Sequence, residues 1–338
     1  RGTSSTSNGY CLDRFTMDES TDGAVTVTQD TTVPSGQGFA KSLKVDVTTA
    51  DSSIAAAQYC GFTQFIEGQN LQYLKYGTSS AESLTLSFWV RSTKTGTYCV
   101  RFVKEAGSGT RYECPIEYTI SSSDTWEKKT ITLSPTAGST SLITATAGAI
   151  VNSNASGFRV FWTLAAGTDY HGTNNTWTST SDRLSTSNQV NFLDNTSNNF
   201  YITGVQFEVG TAASDFEFLP TDVNLEKCYR YFQLINTGGV GKIIGTGGSY
   251  DNNTVLLSYT WVPKRTTPSL YQVSGTGYFY FYGSGSENDA FDLWKIYSPN
   301  YLHGLIYSDD SSISVSDNVL GWFQLNNSAA VLGLQAEL

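Results

Sequence analysis

Between long polar turns, apolar residues in this chain recur at every second position, and almost nowhere at the three-to-four spacing of a helix. The runs "AVTVTQD", "SLKVDVT", "LTLSFWVRS", "TYCVRFVKE", "RYECPIEYTI", "WEKKTITL", "FRVFWTLAA" and "FYITGVQFEV" alternate in this way, as half-buried β-strands do. Turns rich in Gly, Ser, Asn and Asp separate them. Many short, evenly spaced strands predict a jelly-roll-like β-sandwich over residues 1–220. In "TDVNLEKCYRYFQ" the period changes: Leu225, Cys228, Tyr229 and Phe232 fall at helical spacing, and Thr221 or Asp222 after Pro220 can cap a start. One short helix is therefore expected near residues 222–233, within a linker of 221–235. Beyond it "VGKIIGTG", "TVLLSYTWVP", "SLYQVS", "YFYFYGS", "LHGLIYSD", "SISVSD", "LGWFQLN" and "AAVLGLQAEL" resume the β pattern. They predict a second, smaller β-sandwich over 236–338. The fold class is all-β, two β-sandwich domains joined by a short α-helix.

Charge narrows the function. The 338 residues carry a formal net charge of -10, and the longest basic runs are the pairs Lys128-Lys129 and Lys264-Arg265, so a phosphate backbone would be repelled and no nucleic acid partner is expected. No apolar run reaches the roughly 18 residues of a membrane span, so no membrane insertion is expected either. Five cysteines, Cys11, Cys60, Cys99, Cys114 and Cys228, form an odd, sparse set that reads as reduced thiols. A hairpin turning on Ala106-Gly107 would place Cys99 opposite Cys114, whereas one centred on Ser108 would not.

Three blocks together resemble a group of bacteriophage tail-fibre and virion-surface proteins: "RGTSSTSNGYCLDRF" at the start, "YITGVQFEVGTAASDFE" followed by "LEKCYRYFQ", and "VPKRTTPSL" with the final "AEL". The middle block is the most specific, since strand, acidic turn and helix keep the group's order and spacing. Phe207, "AASDFE" and Lys264 depart from the group's usual residues without altering strand polarity or turn chemistry. The resemblance implies a virion surface protein, made in bacterial cytoplasm, whose first domain is similar to carbohydrate-binding jelly rolls. It also implies an attachment segment upstream of Arg1 that meets other virion proteins. A tail fibre binding a host-surface glycan is the leading reading, a capsid decoration or head-fibre protein the alternative, and a polysaccharide depolymerase a third.

Catalytic chemistry is sparse. Only His171 and His303 could serve a serine triad, and no GxSxG elbow is present. The common zinc spacings are missing, so neither catalytic residues, metal nor cofactor is expected. Glu208, Asp215 and Glu217 are the candidates for a carboxylate pair. A carboxylate on a strand can equally tie backbone amides, or an arginine such as Arg14 or Arg230, and the structural role is the one expected of Glu208.

For glycan binding, an aromatic face and amide or hydroxyl partners must meet. Tyr170, His171, Asn174, Asn175 and Trp177 supply that mix in one polar loop, where Trp177 either stacks on a sugar or anchors the loop. In "YFYFYGS", Tyr278, Tyr280 and Tyr282 alternate with Phe279 and Phe281 and form a candidate interface stripe, consistent with a homotrimer. Trp89, Trp126, Trp162 and Trp261 fall inside strand patterns and are assigned to cores.

Overall fold

The computed structural model describes the chain apart from residues 1–3, 6–7, 13, 106–109 and 237–238. It is all-β, as the period-two pattern predicts, and separates into two units, residues 1–218 (with Leu338) and residues 219–337.

The first unit contains β1 (Ser4–Ser5), β2 (Gly9–Tyr10), β3 (Phe15–Ser20), β4 (Ala24–Asp30), β5 (Ser42–Thr49), β6 (Tyr59–Glu67), β7 (Leu84–Ser92), β8 (Gly96–Lys104), β9 (Tyr112–Ile120), β10 (Glu127–Leu133), β11 (Ser156–Ala166) and β12 (Asn199–Val209). They form two antiparallel six-stranded sheets, in the orders β1-β4-β5-β12-β7-β10 and β2-β3-β6-β11-β8-β9. Alternation sends Val45, Leu86, Phe88, Val90, Phe200 and Ile202 of the first sheet, and Phe62, Phe102, Phe158, Val160 and Trp162 of the second, into one core. Phe62 stacks on Trp162 there, with ring centroids 5.4 Å apart.

The β8–β9 register pairs Cys99 with Glu117 and Cys114 with Phe102. Cys114 therefore belongs to the core cluster, while the Cys99 thiol lies beside Thr186 on the other face. A bridge between them is excluded by geometry; the turn that sets this register lies outside the described residues.

Strand β12 does not keep one parity. Its pairing with β7 runs from Thr203↔Trp89 to Gln206↔Ser87, three residues against two, so one extra residue is inserted as a β-bulge. Before the bulge even-numbered residues face the core; after it Val205 and Phe207 do. Tyr201 thus lies on the opposite face from Val205 and Phe207, between Lys44 and Arg91. Gly204 occupies the bulge at φ 59°, a left-handed conformation that a side chain would strain.

The second unit begins with α1 (Thr221–Tyr229) and continues through β13 (Phe232–Asn236), β14 (Ile243–Asp251), β15 (Thr254–Thr260), β16 (Ser269–Val273), β17 (Phe279–Gly283), β18 (Asn288–Phe291), β19 (Lys295–Tyr297), β20 (His303–Ser308), β21 (Leu320–Leu325) and β22 (Val331–Gln335). A three-stranded sheet, β13-β22-β16, accompanies a seven-stranded one, β18-β17-β21-β14-β15-β20-β19. Their core holds Phe279, Phe281, Phe291, Trp294, Phe323 and Leu332. The helix is shorter than the sequence spacing suggests: Phe232 opens β13 instead of closing a third turn, no side chain caps the start, and no residue of α1 is buried. "SISVSD" is not a strand. Ile313 and Val315 plug the core while the carboxylates of Asp289 and Glu287 take the Ser314 and Ser316 amides, leaving the segment outside any sheet.

Candidate functional site

The loop carrying Tyr170 to Trp177 lies over the outer face of the second sheet and is sewn to it. At the centre is Glu113, fully buried, which accepts from Arg101 Nε at 2.9 Å and Nη2 at 2.6 Å. Arg111 reaches the same carboxylate at 3.0 Å, and the Arg183 amide of the loop donates to it at 2.8 Å. Burial alone would raise the Glu113 carboxyl, but the two guanidiniums outweigh it and hold the group below its usual range. Thr178 exchanges both backbone hydrogen bonds with Glu113, and Glu117 accepts from Thr186 and Asn188.

Within that scaffold each sequence-selected residue has a structural partner. The Trp177 ring is 1% exposed and its Nε1 donates to Ser134 O at 2.8 Å, so it anchors the loop and leaves no face for a sugar. Tyr170 donates to Ala57 O and packs edge-on against Tyr59. His171 Nε2 lies 3.3 Å from Ala166 O, and Asn174 Oδ1 accepts from the Glu117 amide. Asn175 is exposed at φ 49°, its amide bonded to Pro115 O. The surface here is a polar hollow lined by His171, Thr173, Thr176, Thr180 and Arg183, without an exposed aromatic face.

The first sheet offers the opposite arrangement. In "LSFWVRS" the inward turn of Leu86, Phe88 and Val90 sends Trp89 outward, where it is half-buried and not in the core. Two chain segments rise beside it, and the β12 bulge places both. Thr203 Oγ1 donates to Lys41 O at 2.8 Å, and the Phe39 ring closes over Gly204 so tightly that a Cβ there would lie 2.5 Å from it. On the other side, the chain after β12 folds back over the sheet. Glu208 accepts from the Ser214 amide at 2.9 Å and the Ser214 hydroxyl at 2.7 Å, while Gln206 Oε1 accepts from the Glu217 amide at 2.8 Å. Partial burial pushes the Glu208 carboxyl up, but Ser214, Gln206 and the nearby Lys128 ammonium outweigh it and keep it below the usual range. Glu208 is thus an ionised clamp on backbone and hydroxyl donors, with no arginine partner among its described bonds.

Between these walls is an open cleft of about 190 Å³, lined by Gln37, Phe39, Ser87, Trp89, Lys128, Asp215, Phe216 and Phe218. Phe39, Phe216 and Phe218 form a triangle with centroids 5.0, 5.3 and 4.8 Å apart, and Phe218 is 56% exposed. Of these, only Asp215 was selected from the sequence. The alternation around Trp89 carried the signal for an outward ring; the walls, from segments far apart in the chain, carried none. A larger hollow of about 330 Å³ by Phe15, Lys41, Gln64 and Ile202 lacks an exposed aromatic ring.

In the second unit, Tyr280 and Tyr282 pack at 4.4 Å, and Trp322 stacks on Tyr282 at 5.3 Å with rings 10° from parallel. Tyr278 does not join them; it leans on the core beside Gly275. Phe279 and Phe281 on the alternate face are fully buried.

Among the described residues, no group of three or more His, Cys, Asp or Glu is placed to hold a metal ion, and no helix is long and apolar enough to cross a membrane. No family model matches the chain, and no curated protein matches it. Among solved structures it is similar to the enzymatically active domain of bacteriophage CBA120 tailspike protein 4, with 14% identity, 59% of this chain covered and a TM-score of 0.32; the match spans a fifth of the tailspike chain. It is similar as well to the C-terminal family 22 carbohydrate-binding module of Clostridium thermocellum Xyn10B, at 14% identity over 60% of this chain and 90% of that one, TM-score 0.31. The tandem pair of family 22 modules from Paenibacillus barcinonensis Xyn10C covers 98% of this chain and 97% of its own at 8% identity, TM-score 0.31.

Proposed function

We propose that the chain is a non-enzymatic glycan-binding protein of a bacteriophage virion surface, a tail fibre or receptor-binding protein. The observation that carries glycan binding is the Trp89 cleft: a half-buried indole in an open hollow with an amide, a hydroxyl, an ammonium and a carboxylate around it. Indole faces take the C–H face of a sugar and the polar groups take its hydroxyls. The non-enzymatic reading is supported by Glu208, whose two oxygens already hold the Ser214 amide and hydroxyl and whose ionised carboxyl is a poor general acid. The virion reading is supported by the "ITGVQFEVG" and "LEKCYRYF" blocks.

A single shallow site binds in the millimolar to high micromolar range, about -4 to -6 kcal/mol, so tight attachment needs several copies. The outer face of the seven-stranded sheet suits a homotrimer contact. It carries Tyr280, Tyr282 and Trp322, with Leu320 74% and Ile243 64% exposed, although the other face of the same sheet is already core. Glycan-array binding of the full chain, compared with Trp89→Ala at matched melting temperature, tests the site; binding unchanged by the substitution refutes it. Light scattering tests the assembly: a monomer at all concentrations removes the trimer, and Trp322→Ser is expected to dissociate one.

A further inference from the structure

The Trp89 cleft combines features that a plain hydroxylated sugar would not use together. Part of the lining is apolar, the Phe39, Phe216 and Phe218 triangle, with Phe218 largely open to solvent. The lining is also charged, with the Lys128 ammonium and the Asp215 carboxylate in the same hollow. Lys128 sits directly across the strand pair from Trp89, and none of the described ion pairs involves it. A volume of about 190 Å³ falls below the roughly 300–1,000 Å³ of pockets for drug-sized ligands and suits one sugar ring.

A carboxylate and an ammonium lining one hollow can serve the two ends of an amide dipole: the carboxylate accepts from its N–H, and the ammonium donates to its C=O. A methyl group attached to that amide would then need an apolar contact, which the phenylalanine triangle supplies. We infer that the cleft recognises an N-acetylated hexosamine, its ring on Trp89, its acetamido group between Asp215 and Lys128, and its methyl against Phe39, Phe216 and Phe218. This rests on the glycan reading of the same cleft and names the sugar class that reading leaves open.

The test is saturation-transfer NMR and titration of the full chain with the methyl glycosides of N-acetylglucosamine and N-acetylgalactosamine, beside those of glucose and galactose. At least one acetamido sugar is expected to bind roughly tenfold or more tightly than its parent, the scale of discrimination by one small group, with the strongest saturation on the acetamido methyl. Phe218→Ser, its fold checked by an unchanged melting temperature because the ring packs on Phe39 and Phe216, is expected to reduce the ratio of acetamido to parent affinity to about twofold or less. Binding of all four sugars with equal affinity overturns the acetamido inference and leaves the glycan reading standing. Binding of none, or binding indifferent to Trp89→Ala in a variant with unchanged melting temperature, overturns both.

Discussion

Replacing Gly204 with alanine tests whether the bulge builds the cleft. Two costs follow from the geometry. At φ 59° an L-residue pays roughly 1–2 kcal/mol for the left-handed conformation. The new Cβ would also lie 2.5 Å from the Phe39 ring, closer than real Cβ contacts come, so the ring must move; overpacking of this kind costs about 1–3 kcal/mol. Together they amount to roughly 2–5 kcal/mol, and at about 2–4 °C per kcal/mol for a unit of this size the first unit should melt roughly 4–20 °C lower. Differential scanning calorimetry of Gly204→Ala, Phe39→Ala and the double variant separates the costs. Removing the ring should abolish the overpacking share, so the double variant should be more stable than the sum of the single changes predicts, by about 1–3 kcal/mol. Binding at the Trp89 cleft should fall in Gly204→Ala because Phe39 leaves its place. Additive single effects, or a melting temperature within a degree or two of the parent, would show that the bulge does not hold Phe39 where the structure puts it.

Trp177→Ala should destabilise the first unit by about 3–5 kcal/mol, since it empties a fully buried site and leaves Ser134 O without its donor; the melting temperature should drop by roughly 6–20 °C. A stable variant that merely lost sugar binding would mean the ring is on the surface after all. Glu113→Gln leaves Arg101 buried against a neutral partner, a loss of about 3–5 kcal/mol. Because the folded Glu113 carboxyl lies below its unfolded value of about 4.3, its stabilisation is complete above that pH and is lost as pH falls through the folded value. Acid unfolding curves of parent and variant should therefore begin to converge as pH falls below about 4.3; parallel curves would discount the ion pair.

The alternation in β4 and β5 was legible because each strand buries one face and leaves the other open to solvent, which writes the period directly into the residues. Strand β6 escaped it: Cys60, Gly61, Phe62 and Thr63 are all buried, with neighbours on both faces, so "YCGFTQFIE" shows no alternation. The even alternation of "FYITGVQFEV" breaks at Gly204, where a glycine inside a strand is itself the sign of a bulge. Phe232 had helical spacing by coincidence with the start of β13. The loop of Tyr170 to Trp177 had a sugar site's composition, but composition does not say which way an indole points; a ring with a carbonyl waiting for its N–H goes inward.

The same reasoning explains how Glu208 builds the wall of the cleft. An open face can hold a ligand only if something fixes the groups around it, and the segment after β12 has no strand partner to do so. The bulge shifts parity so that Phe207 stays in the core while Gln206 and Glu208 point outward together. Those two side chains then accept the Ser214 and Glu217 amides that a neighbouring strand would otherwise have taken. Such a carboxylate must remain charged and occupied to work, the reverse of what proton transfer to a leaving group requires. The clamp thereby brings Asp215, Phe216 and Phe218 to Trp89 from about 130 residues further along the chain.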